Sequence, residues 1–256
     1  MSGSFSRKIY LKFALEKFKQ NLLPSRCYLC LERLMLAQHL FCPDCVKSLP
    51  FIEQSCIYCS EPLPHSGVCP SCQKKPPYFN QCVALFDYRY PISTALKNIK
   101  HNAYAAETKK LSSLLLQRIR RIYRAQLVPT IVIPIPTHPV KTFRRGFNPS
   151  GLIADFICRD LAGAELRENI CYRKKLGKPQ KILTRAQRLA LLSNAFGIKN
   201  SKDIQGKSIA IVDDIVTTGA TANAVTQCLM DAGAKSVDLW CIAKTSWHNH
   251  SSSIKI

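Results

Sequence analysis

Two neighbouring carboxylates, Asp213 and Asp214, follow a run of four apolar residues in the stretch IAIVDDIVTTGATANAV, residues 209–225. Adjacent acids at the end of a buried strand repel each other and lose hydration, so we expect a ligand to compensate for them. Such a pair accepts hydrogen bonds from the diol of a sugar ring, and it binds Mg2+ directly or through water. The acids therefore predict a polyhydroxyl sugar with its metal at the end of this strand.

The turn that follows these acids has the composition of a phosphate-binding loop. Glycine, alanine and threonine let the chain turn tightly, and the first amides of the following helix have no intrahelical acceptor. Free amides at a helix N-terminus favour an anion, and threonine hydroxyls add further donors. We therefore predict that a phosphate is bound by Thr217, Thr218, Gly219, Ala220 and Thr221.

A second anion-binding segment is predicted at residues 134–151, PIPTHPVKTFRRGFNPSG, directly after the apolar stretch TIVIPI. Its cations are Lys141, Arg144 and Arg145, beside Gly146. Several positive charges close together neutralise a pyrophosphate. The alternative is a solvated basic loop.

Eight of the thirteen cysteines form four C-x-x-C pairs. Two residues between cysteines let a tight turn aim both sulfurs at one tetrahedral ion, so two pairs complete a structural zinc site. The gaps of eleven and nine residues favour sequential pairing, with an interleaved arrangement as the alternative. The predicted ligands are Cys27, Cys30, Cys42 and Cys45 for one ion, and Cys56, Cys59, Cys69 and Cys72 for the other.

Composition limits the class of protein. With 37 basic and 16 acidic residues, the net charge of +21 indicates polyanionic partners. No apolar run reaches the roughly 18 residues of a membrane span, and Lys12 and Glu16 interrupt the first stretch, which leaves no continuous apolar run for a secretory signal. We therefore expect a cytoplasmic protein without stable membrane insertion, in which thiols stay reduced. The other cysteines are predicted to be small core residues: Cys82, Cys158, Cys171, Cys228 and Cys241.

The elements that position these groups divide the chain into three parts. We predict that residues 1–23 form a basic amphipathic lead helix that packs against the zinc region. The alternative is that this helix attaches to a membrane surface. Residues 24–78 predict a double zinc ribbon. In residues 79–256, apolar strands alternate with helices, which indicates an α/β domain with a parallel sheet and helices on both faces. Ligands of such sheets lie at the carboxyl ends of strands, where the acids are expected.

The stretch from Asp213 to Thr221 resembles the signature of type I phosphoribosyltransferases, which bind phosphoribosyl pyrophosphate (PRPP) with Mg2+. Over nearly the whole chain the pattern resembles the ComF family, whose members include ComFC and GntX-like proteins. The matching positions are Pro134, Pro136, His138, Arg145 to Asn148, Pro179, Gln180, Leu183, Arg188, Asn194 to Phe196 and Asp213 to Thr221. This resemblance implies a PRPP-binding domain, pentosyl transfer from PRPP, and a role in natural transformation.

Two positions differ from the family pattern. Pro149 follows Asn148 where the family usually has glutamine, and apolar residues around Leu191 replace an Arg-Asn pair. Both lie in loops expected near the substrate, so they concern catalysis more than PRPP binding. In the enzyme that the resemblance implies, Asp213 and Asp214 hold the ribose and Mg2+, the loop holds the 5′-phosphate, and the basic segment holds the pyrophosphate.

The acceptor of the pentosyl group is not specified by any of these residues. Residues 173–188 predict either a mobile basic flap over the site or a solvated loop. The rival function is that of a non-catalytic competence factor that binds single-stranded DNA and uses the transferase fold as a binding or sensing module. Basic runs at 118–124 and 173–188 favour it, with Tyr28, Tyr58, Phe79 and Phe147 as candidate stacking residues. Other DNA-uptake proteins are its expected partners.

Overall fold

The computed structural model describes residues 26–34, 40–101, 106–125, 127–174 and 195–247. The strands are β1 (Cys82–Asp87), β2 (Ile131–Pro134), β3 (Glu165–Leu166), β4 (Cys171–Arg173), β5 (Phe196–Ile198), β6 (Ser208–Val216) and β7 (Ser236–Lys244). The α-helices are α1 (Pro43–Lys47), α2 (Pro70–Lys74), α3 (Ile92–His101), α4 (Ala106–Ile122), α5 (Pro139–Arg145), α6 (Pro149–Asp160) and α7 (Ala220–Asp231). Short 3-10 turns lie at Tyr123–Ala125 and Ser201–Asp203.

Several predicted features lie outside the described residues. They are the lead helix, residues 175–188 of the predicted flap, the family positions Pro179, Gln180, Leu183, Arg188 and Asn194, and Leu191, where the chain differs from the family pattern. Among the residues that are described, no helix is long and apolar enough to span a membrane.

A five-stranded sheet in the order β1-β7-β6-β2-β3 forms the centre of the larger domain. Each of its strand pairs is parallel, as the alternation of strands and helices predicted. Strand β6 includes both acids and continues for two residues beyond them, to Val216. Asp213 and Asp214 therefore lie near the carboxyl end of a hydrogen-bonded strand, and the sheet fixes the position of their backbone.

Both faces of the sheet are buried, which is why its strands are almost continuously apolar. Alternate residues of each strand contact opposite layers, for example Val212 on one face and Ile211 on the other. Helices α3, α4 and α6 cover the first face, and α7 covers the second together with the antiparallel β4–β5 hairpin. Helices on both faces are thus confirmed.

The cysteine-rich region lies against the edge strand β1. Ile52 donates to the Leu85 carbonyl at 3.0 Å, and Asp87 donates to the Pro50 carbonyl at 2.8 Å. The Ser60 hydroxyl donates to the Cys82 carbonyl and accepts from the Ala84 amide. An uncovered edge strand presents unpaired amides and carbonyls, so this contact satisfies them and protects the edge.

Candidate ligand site and metal centres

Asp213 lies beside the N-terminus of helix α6. Its Oδ1 accepts hydrogen bonds from the Ser150 hydroxyl at 3.0 Å and from the Asp214 amide at 2.9 Å. Asn148 caps the same helix by accepting from the Ser150 amide, and its side-chain amide donates to the Ile135 carbonyl at 3.0 Å. Asn148 is thus the N-cap of α6 and Pro149 its first residue, which is the helix start that an Asn-Pro pair predicts. These hydrogen bonds hold the segment after β2 over the carboxyl end of β6.

Asp214 is compensated by a cation that the sequence did not single out. The Lys100 ammonium, near the end of α3, lies 3.0 Å from the Asp214 Oδ2. The Lys100 side chain is 29% exposed and that of Asp214 is 11% exposed. In a parallel sheet the helix after a strand normally returns toward the amino ends of the strands. The sequence thus provided no reason to expect Lys100, near the C-terminus of α3, at the carboxyl ends. The paired acids are therefore held by unequal partners, a neutral hydroxyl and a lysine.

This asymmetry affects the two carboxyl groups differently. Burial, followed by the negative charge of Asp214, raises the pKa of Asp213 well above its ordinary value, although the Ser150 hydrogen bond opposes the shift. A carboxylate in such a position is stabilised by an incoming cation, because the cation removes the repulsion that raises the pKa. The pair is thus suited to a ligand that brings a divalent metal or several hydroxyl donors.

The predicted phosphate loop turns between β6 and α7. Gly219 has a φ of +74° and precedes the first residue of the helix, a conformation that glycine adopts without strain. The Thr218 hydroxyl accepts from the Ala220 amide at 3.3 Å. Thr217 and Thr218 are exposed. The first-turn amides of α7 have no intrahelical acceptor. Loop and acids therefore share one edge of the sheet, with the loop starting directly after Val216.

The predicted pyrophosphate cations lie on helix α5, which starts soon after β2 ends. Its N-cap is His138, whose Nδ1 accepts from the Val140 amide, and Gly146 ends it with a φ of +78°. Arg144 is exposed and Arg145 half-buried, and no carboxylate of the described residues forms a salt bridge with either. Because β2 is adjacent to β6 and parallel to it, α5 begins at the same edge as the acids.

The cysteine pairs combine sequentially. The first four predicted ligands form one cluster and the second four form another, with all ligand atoms of a cluster within 4.8 Å of one another. The Cys30 and Cys42 sulfurs are 3.7 Å apart, as are those of Cys59 and Cys69. Zn–S bonds of about 2.3 Å in a tetrahedron place sulfurs roughly 3.8 Å apart, so the clusters fit zinc. The interleaved alternative is excluded.

Backbone amides favour the ionised sulfur of one cysteine in each cluster. The Cys42 amide donates to the Cys27 sulfur at 3.3 Å, and the Cys69 amide donates to the Cys56 sulfur at 3.4 Å. Burial opposes ionisation of Cys27, but hydrogen bonds from such amides outweigh it and lower the pKa to about 6. The same balance lowers the pKa of Cys56 to about 7. Outside the clusters, Cys82, Cys171 and Cys241 are buried core residues as predicted, and Cys158 and Cys228 are half-buried.

One predicted stacking residue is buried, and two arginines of the basic run 118–124 are hydrogen-bonded to backbone carbonyls of the protein itself. Phe79 is buried in the core and lies close to Gly219, so its ring is not available to stack on a base. The Arg118 guanidinium donates to the Ile52 carbonyl at 2.9 Å and thus holds α4 against the cysteine-rich region. The Arg120 guanidinium is bound to the Asp160 carbonyl. Burial and pairing depend on distant chain segments, which a run of basic residues does not reveal.

An exposed aromatic residue was missed by the sequence reasoning. Phe143, on α5 between the predicted pyrophosphate cations, is 92% exposed. The other named aromatics, Tyr28, Tyr58 and Phe147, are half-buried, and Asn98 donates to the Tyr28 hydroxyl. The sequence K-T-F-R-R contained a signal for Phe143, because an apolar residue flanked by charged ones on a short helix has little chance of burial.

Comparison with known proteins agrees with both halves of the molecule. Residues 18–73 match the double zinc ribbon domain, and residues 164–252 match the phosphoribosyl transferase domain. The DNA utilization protein YhgH of Shigella flexneri is 32% identical over 226 residues, which cover 87% of this chain and 98% of that protein. Competence protein F of Haemophilus influenzae is 29% identical over 231 residues, which cover 88% of this chain and 99% of that protein.

Among solved structures, a purine phosphoribosyltransferase from Pyrococcus horikoshii Ot3 matches with a TM-score of 0.32 and 18% identity. The match covers 53% of this chain and 70% of that one, and at this score it carries no inference. The family assignment comes from the near full-length sequence relatives and the two domain matches. The chain belongs to the family of DNA utilization protein YhgH and competence protein F, the ComF family that its motifs predicted.

Proposed function

We propose that this chain binds PRPP together with Mg2+ at the carboxyl edge of the sheet and transfers its phosphoribosyl group. The observation that carries the proposal is the shared position of the paired acids, the glycine-containing loop and the cationic helix α5 around the end of β6. One sugar carrying a phosphate on one side and a pyrophosphate on the other would satisfy all three features. The phosphoribosyl transferase domain match supports the same ligand.

In this proposal the acids act on the ribose and its metal. Asp213 and Asp214 accept hydrogen bonds from the ribose hydroxyls, and the Lys100 ammonium occupies the neighbourhood of Asp214 until the ligand arrives. The carboxylate oxygens fit Mg2+, which commonly binds one or two carboxylates plus substrate phosphates. The metal supplies positive charge that stabilises the departing pyrophosphate.

The remaining groups orient the two ends of the ligand. Amides and hydroxyls of residues 217–221 hold the 5′-phosphate, and Lys141, Arg144 and Arg145 lie on the segment assigned to the pyrophosphate. The bond from ribose C1 to pyrophosphate oxygen breaks, and the acceptor nucleophile forms the new bond to C1. The protein contributes positioning and fixed charge, and these terms lower the barrier without a covalent enzyme intermediate.

We further propose that each cysteine cluster holds one structural Zn2+. Each has four thiol ligands and no position left for substrate, which is the donor set of a closed structural site. The ions would fix the cysteine-rich region against β1, since this small region has few large apolar side chains of its own.

Calorimetric titration with PRPP and Mg2+ tests the ligand assignment. The Asp213→Asn/Asp214→Asn double variant keeps the side-chain shapes but removes the charge, so affinity should fall at least about tenfold, or roughly 1.4 kcal/mol. Asp231→Asn, at the exposed far end of α7, is the matched control and should bind like the wild type. Unchanged affinity in the double variant would show that the site is elsewhere. Release of pyrophosphate with a panel of acceptors then tests transfer.

A second function, binding of single-stranded DNA during DNA uptake, is favoured by Phe143. Its exposed ring beside Arg144 combines a stacking surface with a phosphate partner, and the net charge of +21 acts in the same direction. The names of the relatives, DNA utilization protein and competence protein, support such a role. In this proposal the chain lies in the cytoplasm, where thiols stay reduced, and its partners are other DNA-uptake proteins.

Fluorescence anisotropy with a labelled oligonucleotide at several salt concentrations tests this second function. Affinity should fall by about 0.7 log units per log unit of salt for each phosphate neutralised. Phe143→Ala should weaken binding at all salt concentrations, because stacking is worth about 1–3 kcal/mol per base. Leu127→Ala, which removes another exposed apolar side chain, should have no effect. Binding that is insensitive to salt and to Phe143→Ala would overturn the assignment.

A further inference from the structure

A buried ion pair joins the second cysteine cluster to the strand beside the phosphate loop. The Lys244 Nζ lies 3.0 Å from the Glu61 Oε2, and the two side chains are 5% and 4% exposed. Glu61 follows the second cluster's Cys59 by two residues, and Lys244 ends β7. Burying two charges is costly unless the geometry satisfies both of them, so an ion pair this deep is held in one arrangement.

Further contacts extend this pair in both directions. The Lys244 ammonium also donates to the carbonyls of Thr217 and Thr245, each at 2.8 Å. On the other side, the Glu61 carbonyl accepts from the Cys56 amide at 2.8 Å. A continuous series of contacts, two hydrogen bonds with the ion pair between them, therefore runs from the Cys56 backbone through Glu61 and Lys244 to Thr217, the first residue of the predicted phosphate loop.

The contact with Thr217 acts on the orientation of a peptide group. In a trans peptide the carbonyl of one residue and the N–H of the next point in opposite directions. When Lys244 holds the Thr217 carbonyl, the Thr218 N–H is turned away from Lys244. Anion binding by a loop depends on the directions of such N–H groups, so a contact that fixes one of them contributes to the shape of the loop.

We infer that a metal ion in the Cys56 to Cys72 cluster stabilises the anion-binding conformation of residues 217–221 through Glu61 and Lys244. That residues 217–221 bind an anion, and which anion it is, rests on the function proposed above. The first cluster serves as an internal comparison. It packs against α3 and α4, with Tyr28 accepting from Asn98, and its described contacts do not include the loop. Glu61 and Lys244 are thus positioning residues.

Hydrogen exchange at the amides of residues 217–221 tests this coupling without any ligand. In the full-length zinc-loaded protein, Glu61→Gln keeps an acceptor for the Trp247 amide, which now bonds to Glu61 Oε1, but removes the charge that holds Lys244. We expect exchange of the loop amides to rise at least about tenfold while the amides of the α4 core stay protected. Asp44→Asn, in the exposed pair with Lys47, is the control and should leave the loop unchanged.

Removing one metal ion at a time gives the second arm of the test. Cys56→Ser should raise exchange in the loop, whereas Cys27→Ser should raise exchange in the first ribbon and not in the loop. If Cys56→Ser does not fold, Glu61→Gln still tests the coupling, because this variant keeps all eight cysteine ligands. Wild-type exchange at residues 217–221 in Glu61→Gln would overturn the inference.

Reciprocal binding separates this inference from the proposed function. If PRPP with Mg2+ binds, saturating PRPP should raise the zinc affinity of the second cluster, measured by equilibrium competition with a chelator, by the factor by which zinc raises PRPP affinity. PRPP binding without this change would contradict the coupling. If Glu61→Gln raises hydrogen exchange in the loop but the protein does not bind PRPP, the coupling between the second cluster and the loop is supported and the assignment of PRPP as ligand is refuted.

Discussion

Replacing Asp213 by asparagine should stabilise the ligand-free protein and abolish its response to PRPP. The Asp213 Oδ1 accepts from Ser150 and from the Asp214 amide, and an asparagine oxygen accepts both bonds equally well. The substitution therefore keeps the hydrogen bonds and removes only a poorly hydrated charge beside a like charge.

The magnitude follows from two opposing terms. Like charges on neighbouring, partly buried side chains repel by roughly 2 kcal/mol or more at an effective dielectric constant of about 20. Against this, the carboxylate loses a favourable interaction with the N-terminus of α6 of about 0.3–1 kcal/mol. The net gain is about 1 kcal/mol, which corresponds to a rise in Tm of about 2–4 °C for a chain of this size.

Differential scanning fluorimetry with and without PRPP and Mg2+ measures both effects. The wild type should gain about 2.7 kcal/mol at a ligand concentration 100 times Kd, whereas Asp213→Asn should gain little, so the order of the two melting temperatures reverses when ligand is added. Asp214→Asn is the informative comparison, because it leaves Lys100 without its partner and should lower the ligand-free Tm.

Two results would refute this reasoning. A ligand-free Tm of Asp213→Asn below that of the wild type would show that the charge at this position is stabilising. A full PRPP response in Asp213→Asn would show that the carboxylate does not take part in binding.

Three further predictions concern pH, metal content and the buried pair. Because burial and Asp214 raise the pKa of Asp213, the folded protein holds this proton more tightly than the unfolded chain, so the stability that this group contributes should fall as pH rises from about 4 through the folded pKa. Over the upper part of that range the Mg2+-dependent affinity for PRPP, measured by calorimetry, should rise, and it should rise less in Asp213→Asn. Elemental analysis should find about two zinc ions per chain, and Cys56→Ser should lose one and keep the Cys27 to Cys45 ion; a single ion in the wild type would contradict two closed sites. Lys244→Met should lower the free energy of unfolding in urea by about 3–5 kcal/mol because it leaves Glu61 charged and buried, and adding Glu61→Gln should recover part of the loss; strictly additive effects would mean that the two residues do not interact.

The groups that the sequence predicted are those whose chemistry depends on neighbours a few residues away. A C-x-x-C turn, an Asn-Pro helix start at Asn148 and a glycine before α7 are local conformations, so spacing alone indicates them. The parallel sheet was also predictable, because strands that are buried on both faces need apolar residues at almost every position. The paired acids stood out against that background.

The partners of these groups were decided by contacts between distant segments. Lys100 at Asp214, Lys244 at Glu61 and Arg118 at the Ile52 carbonyl each join parts of the chain that no periodic pattern connects. The burial of Phe79 and the exposure of Phe143 also depend on what packs around them.

Residue types and their spacing were therefore sufficient to predict which chemical groups this protein has and that they lie at the carboxyl edge of the sheet. The compensation of each charge, and the contact of the second cysteine cluster with Thr217 through Glu61 and Lys244, became visible only in three dimensions. The physical reason is that electrostatic compensation and burial depend on distances through space, whereas a sequence fixes only distances along the chain.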